Sequence, residues 1–127
     1  MSDRIKETFV EAAAPLTPAL KVGDTVYVSG QVPTGPDGRI VGDDVRAQTR
    51  QVLANLEAQL RAAGASRADV VKTLVVLPNV KRDFAAMNEA YAEFFPDPKP
   101  ARTTFGGELA IDIQVEIEAV AVIGSGG

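Results

Sequence analysis

The segment from Ile111 to Ile123 constrains this chain most. Ile111, Ile113, Val115, Ile117, Ala119, Ala121 and Ile123 alternate with Asp112, Gln114, Glu116, Glu118, Val120 and Val122. A period of two with one apolar side throughout is the signature of a β-strand laid on a core. The other side is polar up to Glu118 and apolar from Val120 onward. A lone subunit would leave that apolar half poorly covered, so the pattern points to self-association.

The rest of the chain supplies partners for such a strand. Ala19-Leu20-Lys21-Val22 and Thr25-Val26-Tyr27-Val28-Ser29 flank Gly23-Asp24 as a tight hairpin. Thr34-Gly35-Pro36-Asp37-Gly38 reads as a loop, with Ile40-Val41 as a short extended piece. Asp43-Asp44 opens an amphipathic helix with Val45, Thr49, Val52, Leu53, Leu56, Leu60 and Ala63 on one face, Arg61 near its end and Gly64 as its stop. Val70 to Leu77 reads as a strand buried on most of both faces. A second helix is expected over residues 81–95, with Phe84, Met87, Tyr91 and Phe94 on its stripe and Pro96, Pro98 and Pro100 ending it. Residues 102–105 are extended, Gly106-Gly107 breaks them, and the terminal Gly-Ser-Gly-Gly reads as frayed. The order ββ(β)–α–β–α–ββ implies an α+β fold, a mixed sheet with two helices packed on one face, in a single domain over 1–127.

The chain contains no His, Cys or Trp. Thiolate nucleophiles, imidazole bases and Cys- or His-ligated metals are therefore excluded. With 13 Lys and Arg against 17 Asp and Glu, the net charge of −4 argues against nucleic acid as a main partner. The residues from Met1 to Glu7 hold no apolar core of a signal peptide, and no apolar run approaches the roughly 20 residues that span a bilayer. A cytoplasmic protein without membrane contact is expected.

Chemistry must then come from carboxylates, guanidinium, amine, hydroxyls, backbone and water. Arg102, among small and hydroxylated neighbours, presents a fork that matches a carboxylate, though a surface arginine fits the same pattern. Glu116 is a candidate base on the polar side of the last strand, where a solvated row with Asp112, Gln114 and Glu118 is the plainer reading. Thr103 and Thr104 bring hydroxyls beside Arg102. Gly30, in Ser29-Gly30-Gln31, permits close approach to backbone. Asn88 is the polar residue of the second helix, and Lys72 a conceivable amine nucleophile. No Walker or GxGxxG pattern is present, and acids at 112, 116 and 118 make no convincing metal site.

Six stretches together resemble the Rid (RidA/YjgF) family of reactive intermediate deaminases. They are Val28-Ser29-Gly30-Gln31-Val32-Pro33, Gln48 to Leu56, Asp69 to Thr73, Asp83 to Tyr91, Pro100-Ala101-Arg102-Thr103 and Val115 to Ala121. The likeness covers 15–123. It implies a chorismate-mutase-like subunit in a homotrimer, with clefts between subunits. It also implies hydrolysis of 2-aminoacrylate-type enamines and imines to 2-oxo acids and ammonia, without cofactor or metal. On that likeness Arg102 holds the substrate carboxylate, Glu116 holds a water, the backbone around Gly30 lines the cleft with Thr103 and Thr104, and Asn88 supports the site. A non-catalytic protein binding a small carboxylate or 2-oxo acid is the alternative, and a chaperone-like or regulatory role a third reading. The chain departs from the family where Leu16 replaces a cleft-reaching Tyr, Thr104 replaces a frequent Cys, and Leu109-Ala110 stands for Leu-Pro.

Overall fold

The computed structural model describes residues 5–127. The N-terminal stretch read above for a signal peptide begins with Met1–Arg4, which lie outside the described residues. Six strands and two helices follow in the order β1 (Glu7–Thr8), β2 (Ala19–Val22), β3 (Thr25–Gln31), α1 (Val45–Ala62), β4 (Val70–Leu77), α2 (Val80–Phe94), β5 (Ala101–Gly106) and β6 (Glu116–Val122). The sheet order is β1-β2-β3-β6-β4-β5. Only β4 and β5 run parallel, joined through α2. The result is the expected α+β arrangement, a mixed sheet with both helices on one face.

Local chemistry explains most boundaries. Gly23, at φ 62°, turns the β2–β3 hairpin in a conformation that L side chains rarely adopt. Asp44 caps α1 by accepting from the Ala47 N–H at 2.8 Å, and Gly64 at φ 87° follows its last turn. Val52, Leu53, Leu56 and Leu60 of α1 pack with Met87 and Tyr91 of α2 over Val26, Val28, Val75, Ile117, Ala119 and Ala121 of the sheet. Arg46–Glu89 and Arg50–Glu93 pairs tie the two helices together on their outer side. Among the described residues no helix is long and apolar enough to cross a membrane.

Four expectations need correction. The last strand is shorter than its alternation suggests. Ile113 and Val115 are buried, but residues 111–115 make no ladder and Ile111 is 46% exposed. The Gln114 N–H instead donates to Gln48 Oε1 of α1 at 2.8 Å, so this segment docks on a helix. Strand β4 is buried on one face only; Val71 and Lys72 are exposed on the other side of the chain. Phe84 belongs to the expected stripe of α2 yet stays largely exposed. Finally, the C-terminal glycines are held rather than frayed. Asp69 Oδ1 accepts from the Gly126 N–H at 2.9 Å, and Ser125 Oγ donates to the Asp69 carbonyl at 3.2 Å. Burial alone would raise the Asp69 carboxyl pKa, but bonds from the Gly126, Ser66 and Gly124 backbones outweigh it and hold it below its usual range.

Candidate functional site

Strand β5 lies at the sheet edge, and its register decides where Arg102 points. Arg102 pairs with Thr73, which is buried beneath the helices. Its guanidinium accordingly turns to the helix side, with Cζ 4.7 Å from the centre of the Tyr91 ring and 5.7 Å from that of Phe84. A groove of ≈ 420 Å³ opens there, lined by Asn88, Tyr91, Ala92, Lys99, Pro100 and Arg102. Size does not single it out, since a cleft of ≈ 340 Å³ lies under the C-terminal tail. Its chemistry does. Arg39, Arg46, Arg50, Arg61, Arg67 and Arg82 each pair with a carboxylate, whereas Arg102 has none among the described residues.

Two further polar atoms on this side are unspent. Asn88 Oδ1 and Thr104 Oγ1 are buried without a hydrogen-bond partner. Buried polar atoms are nearly always satisfied, so such orphans mark a place where something else belongs. Lys99, by contrast, is occupied. Its ammonium donates to the Phe95 carbonyl and to that of Ala92 at 3.4 Å, and pairs with Asp97 at 3.3 Å. It neutralises the C-terminal end of α2.

Glu116 lies elsewhere. On β6 it pairs with Val76 of β4, on the face of the sheet away from the helices. There it packs against Gly30, which sits where β3 shifts register against β6 between Val28 and Gln31. A Cβ added at Gly30 would come within 2.9 Å of Glu116 Cδ, so the carboxylate sits where any larger residue would make it move. Burial first, and the nearby Glu118 charge second, push the Glu116 carboxyl above its ordinary value. The adjoining Ser29 is anchored: its hydroxyl donates to the Thr17 carbonyl at 2.6 Å and its N–H to that of Pro18 at 2.9 Å. Leu16, the residue before Thr17, is exposed. Thr103 is on the same face as Glu116, where its hydroxyl accepts from Lys72 Nζ at 3.1 Å.

One chain thus gathers Arg102, Thr104 and Asn88 on one side, and Gly30 and Glu116 on the other, with Thr103. Arg102 and Glu116 are separated by β4, a lateral distance of roughly 10 Å at normal strand spacing, and face opposite ways. A single small molecule does not reach both within one subunit. Sequence reasoning missed Tyr91, which it assigned to the core stripe. Its position three residues beyond Asn88, on the same helical face, was the available signal.

Comparison with known proteins agrees with this architecture. The family model described as endoribonuclease L-PSP matches residues 6–123. A RutC family protein of Pyrococcus horikoshii is 47% identical over 109 residues, covering 84% of this chain and 86% of that protein. A 2-iminobutanoate/2-iminopropanoate deaminase of Dermatophagoides farinae is 40% identical over 111 residues, 86% of each. The crystal structure of a Rid-family protein from Yersinia pestis superposes with TM-score 0.88 at 34% identity, covering 94% of this chain and 100% of that one. The chain belongs to the endoribonuclease L-PSP family, the Rid (RidA/YjgF) group.

Proposed function

We propose that this Rid-family chain hydrolyses 2-imino acids and their 2-aminoacrylate-type enamine tautomers to 2-oxo acids and ammonia, at sites shared between subunits of a homotrimer. The carrying observation is Arg102, a guanidinium free of any carboxylate among the described residues and held at the wall of a groove. Its fork matches the carboxylate that every 2-imino acid carries. The name of the mite relative gives the same substrate class. The ribonuclease in the family's name suits this chain less, given its charge of −4 and its lack of histidine.

The split between Arg102 and Glu116 is what makes a second copy necessary. A neighbour that lays its open sheet face against the β5 edge brings its own Glu116 and Gly30 to Arg102. The same contact covers Tyr27, Val120 and Phe105. In the completed cleft, the Arg102 fork fixes the carboxylate and so the C=N carbon beside it. The enamine form first takes a proton on its terminal carbon to become the imine. A water held by Glu116 adds to the C=N carbon, its proton passing to the carboxylate and the nitrogen taking up another. As the C–N bond of the resulting carbinolamine breaks, Glu116 returns its proton to the nitrogen, the hydroxyl proton leaves to solvent in place of the one the nitrogen drew from it, ammonia departs and C=O forms. A carboxyl raised above its ordinary value serves both transfers better than an ordinary one.

The test couples purified protein to a dehydratase that generates 2-aminoacrylate from serine and follows pyruvate release. The protein should accelerate release and Arg102→Met should not. No acceleration over buffer overturns the enzymatic reading. Saturable, Arg102-dependent binding of 2-oxobutanoate without turnover would select the carboxylate-binding alternative.

A further inference from the structure

The carboxylate clamp needs something to aim it, and among the described residues no acidic side chain does so. The other described arginines pair with carboxylates, as Arg67 does with Glu57 through two bonds of 2.8 Å. That arrangement would occupy the fork of Arg102 and leave nothing for a substrate. Its support is instead an aromatic face. The Tyr91 ring lies beneath the guanidinium at 4.7 Å and is only 5% exposed, while Phe84 stands farther off at 5.7 Å on the outer side. A ring face attracts the cation without accepting any of its five N–H groups in the guanidinium plane.

Tyr91 is itself locked. Its hydroxyl and Thr73 Oγ1 form a buried hydrogen bond of 2.6 Å. Thr73 lies directly across the parallel ladder from Arg102. The three residues therefore close a loop: the ladder sets Thr73 against Arg102, Thr73 fixes Tyr91, and Tyr91 fixes the guanidinium. Burial raises the Tyr91 phenol pKa, outweighing its Thr73 bond and the Arg102 charge, so the ring stays neutral at physiological pH.

We infer that Tyr91, held by its bond to Thr73, is the positioning residue that aims the Arg102 fork into the groove. The inference rests on the reading of Arg102 as a carboxylate clamp. It acts on substrate affinity, because the clamp binds the same carboxylate in ground and transition states.

The test measures 2-oxobutanoate binding and imine turnover, with thermal melts alongside. Tyr91→Leu should raise the Kd for 2-oxobutanoate and the KM about tenfold, the scale of a partly buried cation–π contact, with kcat nearly unchanged. In an Arg102→Met background the same substitution should add nothing, because its effect passes through the guanidinium. A general structural role would lower affinity in both backgrounds. If Tyr91→Leu does not fold, Thr73→Val and Tyr91→Phe carry the test. Each breaks the same bond, so both should raise Kd equally, by about threefold for one lost hydrogen bond. A wild-type Kd in Tyr91→Leu, additivity with Arg102→Met, or unequal effects of the two conservative changes overturns the inference. An Arg102→Met protein that binds 2-oxobutanoate as wild type does would instead overturn the clamp, and so the proposed function.

Discussion

The two faces of the sheet are built from the same strands and serve different ends. Toward the helices, Val28, Val75, Ile117, Ala119 and Ala121 are closed off from solvent. On the other face, one residue along each strand, Tyr27 is 48% and Phe105 47% exposed, with Leu74, Val76, Val120 and Val122 half-buried between them. The open face is also divided along its length. Val120 and Val122 lie against Tyr27 and Thr25, and Glu116 lies beside Gly30. The covered face holds the hydrophobic core. The other is apolar at one end and acidic at the other, the two ends that the proposed assembly would use for subunit contact and for chemistry.

The largest expected effect separates folding from assembly. Leu56→Ala, in α1 over the covered face, should cost about 2–5 kcal/mol of unfolding free energy, read from the urea midpoint. Val120→Asp on the open face should leave the subunit folded and lower the mass seen by light scattering to that of one chain. If Val120→Asp instead unfolds the chain as Leu56→Ala does, or leaves the mass unchanged, the two faces are not doing separate work.

Next in size is the division of the site between the faces. Arg102→Met and Glu116→Gln should each lower kcat/KM by roughly 10²–10³-fold. Each variant spoils a different face, so a site built from two copies can draw one intact residue from each. Refolded together in equal amounts, the two inactive proteins should recover about a quarter of wild-type activity, the fraction of subunit interfaces with both intact partners under random assembly. A site contained in one chain would recover nothing on mixing.

How far the sequence foretells these faces depends on whether the deciding contact is local. The Asp44 cap, the Gly23 turn and the β4 span of Val70–Leu77 follow from residues within a few positions of each other. The alternation of residues 111–115 correctly signals which side chains are buried at Ile113 and Val115. It does not signal a ladder, because Gln48, far back in the chain, takes the Gln114 N–H. The glycine-rich tail reads as loose for the same reason, its anchor Asp69 being 57 residues away from Gly126. Arg102 and Asn88 line one groove, and Thr104 lies on the same side of the sheet. That Arg102 and Glu116 face apart is a matter of parity. Arg102 pairs with Thr73 and Glu116 with Val76, three residues apart on β4 and so on opposite faces. Composition and periodicity carry no information on that register.

The smallest expected effect lies within the acidic end of the open face. Glu116 is held above its ordinary pKa by burial, and secondarily by Glu118 two residues along the same side of β6. Its ionised form is the base, so kcat/KM should climb as pH rises through that raised value. The acid limb then sits above the range of a free glutamate. Glu118→Gln removes the lesser cause and should move the limb to lower pH without restoring the ordinary value, because burial remains; the rate on the plateau should stay as it was. Glu116→Gln should abolish the limb. Stability follows with the opposite slope: a carboxyl whose folded pKa is raised contributes stability below its unfolded value and loses it as pH rises through the folded one. Thermal melts from acid to neutral pH should therefore fall less in Glu116→Gln than in wild type. A limb unmoved in Glu118→Gln would mean that the two carboxylates do not sense each other, and that burial against Gly30 alone tunes the base.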